Sequence, residues 1–187
     1  MIAPTLHTGR LTLLSPTIVI ETEHLLLRAP VPGDWAAARG FFMSKRAKTI
    51  GGPSDLGRAW RIFAELTGHW AIRGFGMWVV TAKGEDRALG MVGPWFPGDW
   101  PEPEIGWMVW DDASEGHGIA FEAAVAARAD ALTRLGWASA VSYVAPTNYR
   151  SIRLAERLGA RHDPVAAFPP GKDACLVYRH PAPEDMT

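Results

Sequence analysis

The chain has little cysteine, little excess charge of either sign, and no long apolar run. Cys175 is its only cysteine, so no internal disulfide can form and we expect a reducing compartment. Lys and Arg total 19 against 20 Asp and Glu, which gives no broad basic surface for nucleic acid. No apolar run approaches the roughly 20 residues of a membrane-spanning helix. The N-terminus lacks the basic start and apolar core of a secretory signal. We therefore expect a cytoplasmic protein that binds neither nucleic acid nor membrane.

Apolar and aromatic residues are plentiful by contrast. Hydrophobic residues make up 48% of the 187 positions, which is enough for the core of one domain. The 9 tryptophans indicate a partly aromatic cleft in addition to that core. We predict a single domain over residues 22–180, with an N-terminal extension over 1–21 and a flexible tail over 181–187.

Helical spacing, alternation and Gly or Pro punctuation predict the order of the elements. Helices are expected over 32–44, 56–73, 118–135 and 151–158, the second capped by Ser54 and the last by Asn148. Strands are expected over 24–29, 75–81, 88–96, 104–110, 138–145, 161–168 and 174–179. The long helix between strands 104–110 and 138–145 makes that pair a parallel crossover. The fold class is therefore α/β, with a sheet of mixed direction.

A glycine loop joins the strand over 104–110 to the long helix. The first amide groups of a helix have no partner within it, and the helix dipole adds partial positive charge there. Gly116 and Gly118 carry no side chain, so an anion can approach the main chain closely. This order of strand, glycine loop and helix predicts a phosphate-binding site. A simple turn is the alternative interpretation.

Three stretches together resemble the GNAT family, the Gcn5-related N-acetyltransferases. They are residues 104–109, residues 116–123 with the glycine loop, and residues 148–160, which begin Asn-Tyr-Arg-Ser. The branch that includes the ribosomal-protein N-terminal acetyltransferases is the most similar, and the strand over 22–28 looks like its usual start. The resemblance covers residues 22–179.

The resemblance implies a mostly antiparallel central sheet with helices on both faces and one parallel strand pair that splays apart. It also implies an enzyme that moves the acetyl group of acetyl-CoA to a primary amine by direct attack in a ternary complex, without a metal. The acceptor is a protein N-terminus or a small-molecule amine. In the family, the coenzyme's arm lies between the splayed strands and pairs with main-chain groups, as an extra strand would. The matching cofactor-binding positions are Met108, Val109, Trp110, Gly116, His117, Gly118, Ile119, Ala120, Phe121, Asn148 and Ser151.

Two positions depart from the family pattern. The loop starts at Glu115 where Gln or Arg is usual, and a carboxylate at about 4 Å from a phosphate repels it by about 1 kcal/mol in water. The nearby cations that can offset this charge are His117, Arg150 and Arg153. Many relatives carry a Tyr that protonates the leaving thiolate, and the matching position here is Ala155.

Catalysis needs a base and an oxyanion donor. An amine attacks in its neutral form, and its ordinary pKa of about 8 to 10.4 makes a base useful. Glu104 is the candidate base, because it lies on the strand before the loop and on the same face as Met108. Tyr143 matches the family's usual base position. The alternatives are a solvated carboxylate at a strand start and a core tyrosine. The candidate oxyanion donor is a main-chain N–H on the splayed strand, for example at Val109.

Trp95 and Trp100 are the candidate acceptor-binding residues, because they lie in segments that form the acceptor cleft in relatives. Two alternatives stay open. Ala155 and Glu115 both favour a non-catalytic acyl-CoA-binding or regulatory module on the same scaffold. An acidic cleft would favour a polycationic small molecule as the acceptor, and acidic residues cluster in the sequence over 99–112. The extension and the aromatic surface are compatible with a homodimer.

Overall fold

The computed structural model describes residues 18–171 and 174–182. Within these ranges the strands are β1 Ile20–Glu21, β2 Leu25–Arg28, β3 Trp78–Ala82, β4 Ala88–Trp95, β5 Glu104–Val109, β6 Val141–Val144, β7 Arg161–His162 and β8 Leu176–Arg179. The helices are α1 Trp35–Phe42, α2 Leu56–Arg73, α3 Ile119–Thr133 and α4 Tyr149–Arg157. Two short 3-10 helices cover Pro32–Asp34 and Lys45–Ile50. Most of the predicted extension and of the predicted tail lies outside the described residues.

One sheet contains all of these strands, in the order β1-β2-β3-β4-β5-β6-β8-β7. Every neighbouring pair is antiparallel except β5 and β6, which are parallel. The predicted crossover from β5 through α3 to β6 is therefore confirmed, as is a mixed, mostly antiparallel sheet. Ile20 and Glu21, the last residues of the predicted extension, pair with β2 and so belong to the sheet.

Helices cover both faces of the sheet, because alternate strand residues point to opposite sides. On one face, Phe42 of α1 and Phe63 of α2 pack with Val79 and Met91. On the other face, α3 and α4 pack against Trp78, Val80 and Val92 through a second set of side chains, which includes Ala123, Ala124, Ala127 and Leu158. The small side chains of α3 let its main chain lie close to the strands.

Most predicted ends shift by one to three residues, as for the strand predicted over 138–145, which covers Val141–Val144, and two further predictions are wrong. The N-cap of α2 is Asp55 and not Ser54, since the Asp55 carboxylate accepts the Arg58 N–H at 2.7 Å. The strand predicted over 161–168 ends at His162. Pro164 has no N–H to give to a ladder, and the apolar side chain of Val165 is 92% exposed. Residues 163–168 resemble a strand in their apolar composition, but they do not enter the sheet.

The N-terminal turn of α3 is tied to the start of β2 by one carboxylate. Glu122 accepts hydrogen bonds from the Thr22 hydroxyl at 2.6 Å and the His24 main-chain N–H at 2.8 Å. The His24 ring lies 3.1 Å from its other oxygen. This contact fixes the helix that the glycine loop opens. Among the helices described, none is long and apolar enough to cross a membrane.

Candidate active site

The parallel pair β5 and β6 meets at one end only. Val141 donates its N–H to the Pro103 carbonyl at 2.9 Å, and the ladder contains the single register pair Glu104 and Val141. A continuous ladder would next pair Gly106 with Tyr143, and the described ladder does not include that pair. The strands therefore part after Ile105, which leaves an opening between them.

The register of β5 decides which main-chain groups face this opening. Trp110 donates to the Leu89 carbonyl of β4 at 2.8 Å. Because hydrogen-bonded pairs alternate along an antiparallel ladder, Met108 also directs its main chain to β4, whereas Trp107 and Val109 direct theirs to the β6 side. Of the three β5 positions predicted to meet the coenzyme's arm, only Val109 presents its main chain to the opening. Trp107 is an addition that the sequence did not indicate.

The glycine loop connects the end of β5, beside the opening, to the start of α3. Gly116 and Gly118 both adopt φ of +79°, a left-handed conformation that strains any other residue. Gly118 is the N-cap of α3 and supplies no side-chain cap. Within the described ranges, the N–H groups of Ile119, Ala120 and Phe121 have no main-chain acceptor. Unpaired amides and a positive dipole at the start of a helix are the features that a diphosphate-binding site requires.

The negative charge of Glu115, in the glycine loop, is paired with two arginines. One of its oxygens accepts from Arg46 at 2.6 Å, and the other pairs with Arg150. Arg46 also pairs with Asp112 and donates to the Val109 carbonyl at 3.0 Å. The two guanidinium groups thus offset the negative charge of Glu115, although Arg46 is shared with Asp112. Arg150 was a predicted partner, whereas Arg46 comes from a distant segment and was missed.

The start of α4 borders the opening from the other side. Asn148 caps this helix, as predicted, by accepting the Ser151 N–H at 3.2 Å. The Ser151 hydroxyl accepts from the Trp107 indole at 3.0 Å. Ser151, a predicted cofactor contact, therefore touches β5 through the Trp107 indole, and Asn148, the other one, is bonded to Ser151. His117 is exposed in the loop nearby.

The predicted catalytic and acceptor residues also come together. The Trp100 indole donates to Glu104 Oε2 at 2.6 Å, and the rings of Trp95 and Trp100 meet edge-on with centroids 6.4 Å apart. Tyr143 packs in a cluster that Trp100 also contacts. Burial, together with the charges of Glu102 and Glu104, raises the pKa of Tyr143 to about 12. The phenol is therefore protonated at neutral pH.

His69 supports this aromatic wall. Its ring stacks on Trp95 with centroids 4.4 Å apart. Nδ1 lies 2.7 Å from the Phe75 carbonyl and must carry the proton, while Nε2 accepts from the Phe96 N–H at 3.2 Å. Burial lowers the pKa of His69 below its ordinary value. The ring is a neutral, fully engaged support and has no nitrogen left for chemistry.

Comparison with known proteins identifies this arrangement. The family model for the acetyltransferase (GNAT) domain matches residues 24–161. The chain belongs to the GNAT family. An acetyltransferase from Agrobacterium tumefaciens strain C58 is 35% identical to it, with a TM-score of 0.82 over 92% of this chain and 99% of that one. The protein is an acetyl-CoA-dependent acyltransferase, and acetyl-CoA is its co-substrate.

More distant GNAT structures share the fold. A ribosomal-protein-S5-alanine acetyltransferase from Vibrio fischeri is 16% identical, with a TM-score of 0.66 over 89% of this chain and 98% of that one. RimJ from Mycobacterium smegmatis, in complex with CoA-disulfide, is 20% identical, with a TM-score of 0.65 over 87% of this chain and 83% of that one. Among the residues described here, no group of three or more His, Cys, Asp or Glu side chains is placed to hold a metal ion.

Proposed function

We propose that this GNAT enzyme acetylates a primary amine, on a protein N-terminus or on a small molecule, by direct attack in a ternary complex. The observation that carries the proposal is the cluster of Glu104, Trp100 and Tyr143 next to the opening between β5 and β6. A carboxylate, a protonated phenol and an aromatic wall are what amine acylation needs beside a thioester: a base, a donor and an apolar boundary.

Glu104 is the proposed base. Trp100 holds its Oε2, and its Oε1 lies 3.4 Å from the point where a Cβ on Gly106 would stand. The carboxylate therefore extends along β5 in the direction of the opening. Glu104 takes a proton from the amine, directly or through a water, as the nitrogen bonds to the thioester carbon. The carbon–sulfur bond then breaks and the thiolate leaves.

Tyr143 is the proposed donor to the departing sulfur, since Ala155 occupies the place of the tyrosine that many relatives use. A phenol of pKa about 12 does not give up its proton fully to a thiolate whose ordinary pKa is about 8.5. Tyr143 therefore stabilises the thiolate by a hydrogen bond, and solvent completes the protonation. The Val109 N–H, on the side of β5 that faces the opening, is the proposed donor to the carbonyl oxygen.

Turnover with a panel of amines tests the proposal. The panel contains peptides with free N-termini, the same peptides with blocked N-termini, a polyamine and an aminoglycoside. We expect release of coenzyme A thiol with at least one free amine and none with the blocked peptides. Tight coenzyme A binding without turnover of any amine, even at high pH, would contradict the proposal and support a binding module instead.

The variant Glu104→Gln tests the base. We expect kcat at pH 7 to fall by about 10²–10⁴-fold. The loss should shrink as the pH approaches the pKa of the amine, because the acceptor then deprotonates without help. The KM for acetyl-CoA should stay unchanged.

Glu102→Gln is the matched control. Glu102 lies two positions away, and its carboxylate is bound by Arg179 at 2.6 and 2.9 Å. We expect a small loss of stability and a normal pH profile. Equal pH profiles for Glu104→Gln and Glu102→Gln would remove Glu104 from the mechanism.

A further inference from the structure

A buried polar network lies behind the opening and takes no part in the chemistry above. Ser142 of β6 is 2% exposed, His180, the residue after β8, is 3% exposed, and Arg128 of α3 is 7% exposed. Burying a cation and two polar side chains is costly unless they hydrogen-bond. These three side chains are joined by hydrogen bonds.

The hydrogen bonds run in one donor-to-acceptor direction, from Arg128 through His180 and Ser142 to β5. Arg128 Nη1 donates to the Leu158 carbonyl at 2.5 Å and lies 3.4 Å from His180 Nδ1. A guanidinium only donates, so Nδ1 accepts and Nε2 carries the ring proton. Nε2 lies 2.9 Å from the Ser142 hydroxyl, which itself donates to the Ile105 carbonyl at 2.6 Å. The His180 Nε2 proton and the Ser142 hydrogen each have an acceptor, and the Ser142 hydrogen is aimed at β5.

The acceptor at the end of this chain is the carbonyl at which the strands part. Val141 bonds to Pro103, so the next bond of a continuous parallel ladder would run from the Tyr143 N–H to the Ile105 carbonyl. The bond after that would run from the Trp107 N–H to the Tyr143 carbonyl. The Ser142 hydroxyl takes the Ile105 carbonyl instead, and the ladder stops there.

We propose that Ser142, oriented by His180 and Arg128, is a positioning residue that sets the point where β5 separates from β6. By occupying the Ile105 carbonyl, Ser142 keeps the pair from closing. The Trp107 and Val109 main-chain groups thereby stay available on the side where the coenzyme's arm binds. The proposal depends on coenzyme binding and does not depend on which amine is acetylated.

The test combines Ser142→Ala, Ser142→Thr and the control Thr81→Ala. Thr81 is a buried hydroxyl residue of β3, 1% exposed and remote from the opening. Two quantities are measured: the Kd of coenzyme A by calorimetry, and hydrogen exchange of the Trp107 amide. For Ser142→Ala we expect the Kd to rise at least tenfold and Trp107 exchange to slow at least tenfold, as its N–H joins the closed ladder. Ser142→Thr keeps the hydroxyl and should stay within threefold of wild type on both measures.

A purely structural role predicts a different result. Thr81→Ala removes a buried hydroxyl that makes no hydrogen bond to the described residues, and it should leave both measures unchanged. If Ser142→Ala weakens coenzyme binding without slowing Trp107 exchange, or slows exchange without weakening binding, the proposal is wrong. Should Ser142→Ala not fold, Ser142→Cys replaces it, since a thiol keeps the volume and donates weakly. The expected direction is the same, and wild-type values on both measures would overturn the proposal.

Discussion

Gly90 lies on β4 directly opposite Val109, and a Cβ there would stand 2.1 Å from the Met108 carbonyl oxygen. Because that neighbour is backbone, no side-chain rotation can relieve the clash. We predict that Gly90→Ala lowers the free energy of unfolding by about 1–3 kcal/mol. It should also weaken coenzyme A binding, since the segment that moves carries Val109. Urea unfolding and calorimetry measure the two effects.

Gly40→Ala provides the contrast. Gly40 lies inside α1, and a Cβ there meets nothing within 4 Å. Alanine in an open helix position is expected to stabilise by about 0.5–1 kcal/mol. If Gly90→Ala kept the wild-type free energy of unfolding and the wild-type affinity for coenzyme A, the prediction that β4 and β5 leave no room for a side chain at Gly90 would be wrong.

Individual site residues differ in how far the sequence reveals them. Asn148 and Gly118 could be predicted, because a cap and a left-handed glycine act on their own neighbours in the chain. Arg46 could not, because its partners Val109 and Glu115 lie more than 60 positions away. Trp107 likewise lies at an apolar position of the alternating strand, and its hydrogen bond to Ser151 is seen only in the fold.

At the scale of elements, Glu122 is the contact that holds α3 against the start of β2. We predict that Glu122→Ala lowers the free energy of unfolding by about 0.5–1.5 kcal/mol, because it removes the acceptor that joins the Thr22 hydroxyl and the His24 N–H to α3. Glu122→Gln retains an accepting oxygen and should lose less. Urea titrations of the two variants measure the difference. Equal losses for both would mean that the charge, and not the hydrogen bonds, makes the contact.

The elements themselves were predictable where local signals agreed. The α2 helix follows from its apolar stripe and from Gly74, which ends it with φ of +74°. The strand predicted over 161–168 failed because apolar composition cannot report whether a partner edge is present. β8 pairs with residues 161–162, and the Asp163 N–H makes one further main-chain hydrogen bond to it, to the Val177 carbonyl at 2.8 Å.

For the whole molecule, the buried histidines predict how stability depends on pH. Burial, with the charge of Arg128, lowers the pKa of His180 from its ordinary 6.5 to about 3. Below pH 6.5 the unfolded chain binds a proton that the folded chain does not. The free energy of unfolding therefore decreases as the pH is lowered from about 6.5 to about 3, by up to about 1.4 kcal/mol per pH unit. His69, whose pKa is also lowered, adds to the same slope.

Urea unfolding at several pH values between about 7.5 and 4.5 measures this slope. The window lies above the ordinary pKa of carboxylates, so the depressed pKa values of Asp111 and Glu122 contribute little there. In His180→Gln the slope should be smaller, because one titrating group is gone. An unchanged slope in that variant would show that His180 is protonated in the folded state.

The overall architecture was predictable because it follows from element order. A strand, a long helix and a second strand define a parallel crossover, and the short turns define antiparallel neighbours. The parting of β5 from β6 was expected only from the family resemblance. Its cause in this chain is a hydroxyl on β6 supported by residues of α3 and the end of β8, and no local pattern links Ser142, His180 and Arg128.

The register of β5 limits how this chain can change length. Trp107 and Val109 turn their main chain to the opening because Met108 and Trp110 turn theirs to β4. One inserted or deleted residue within β5 would exchange these directions and would also move every side chain to the opposite face. Replacing the Val109 side chain leaves the pattern intact. We therefore expect homologous chains to vary in the side chains of β5 and to tolerate insertions in neighbouring loops, but to keep the length of this strand.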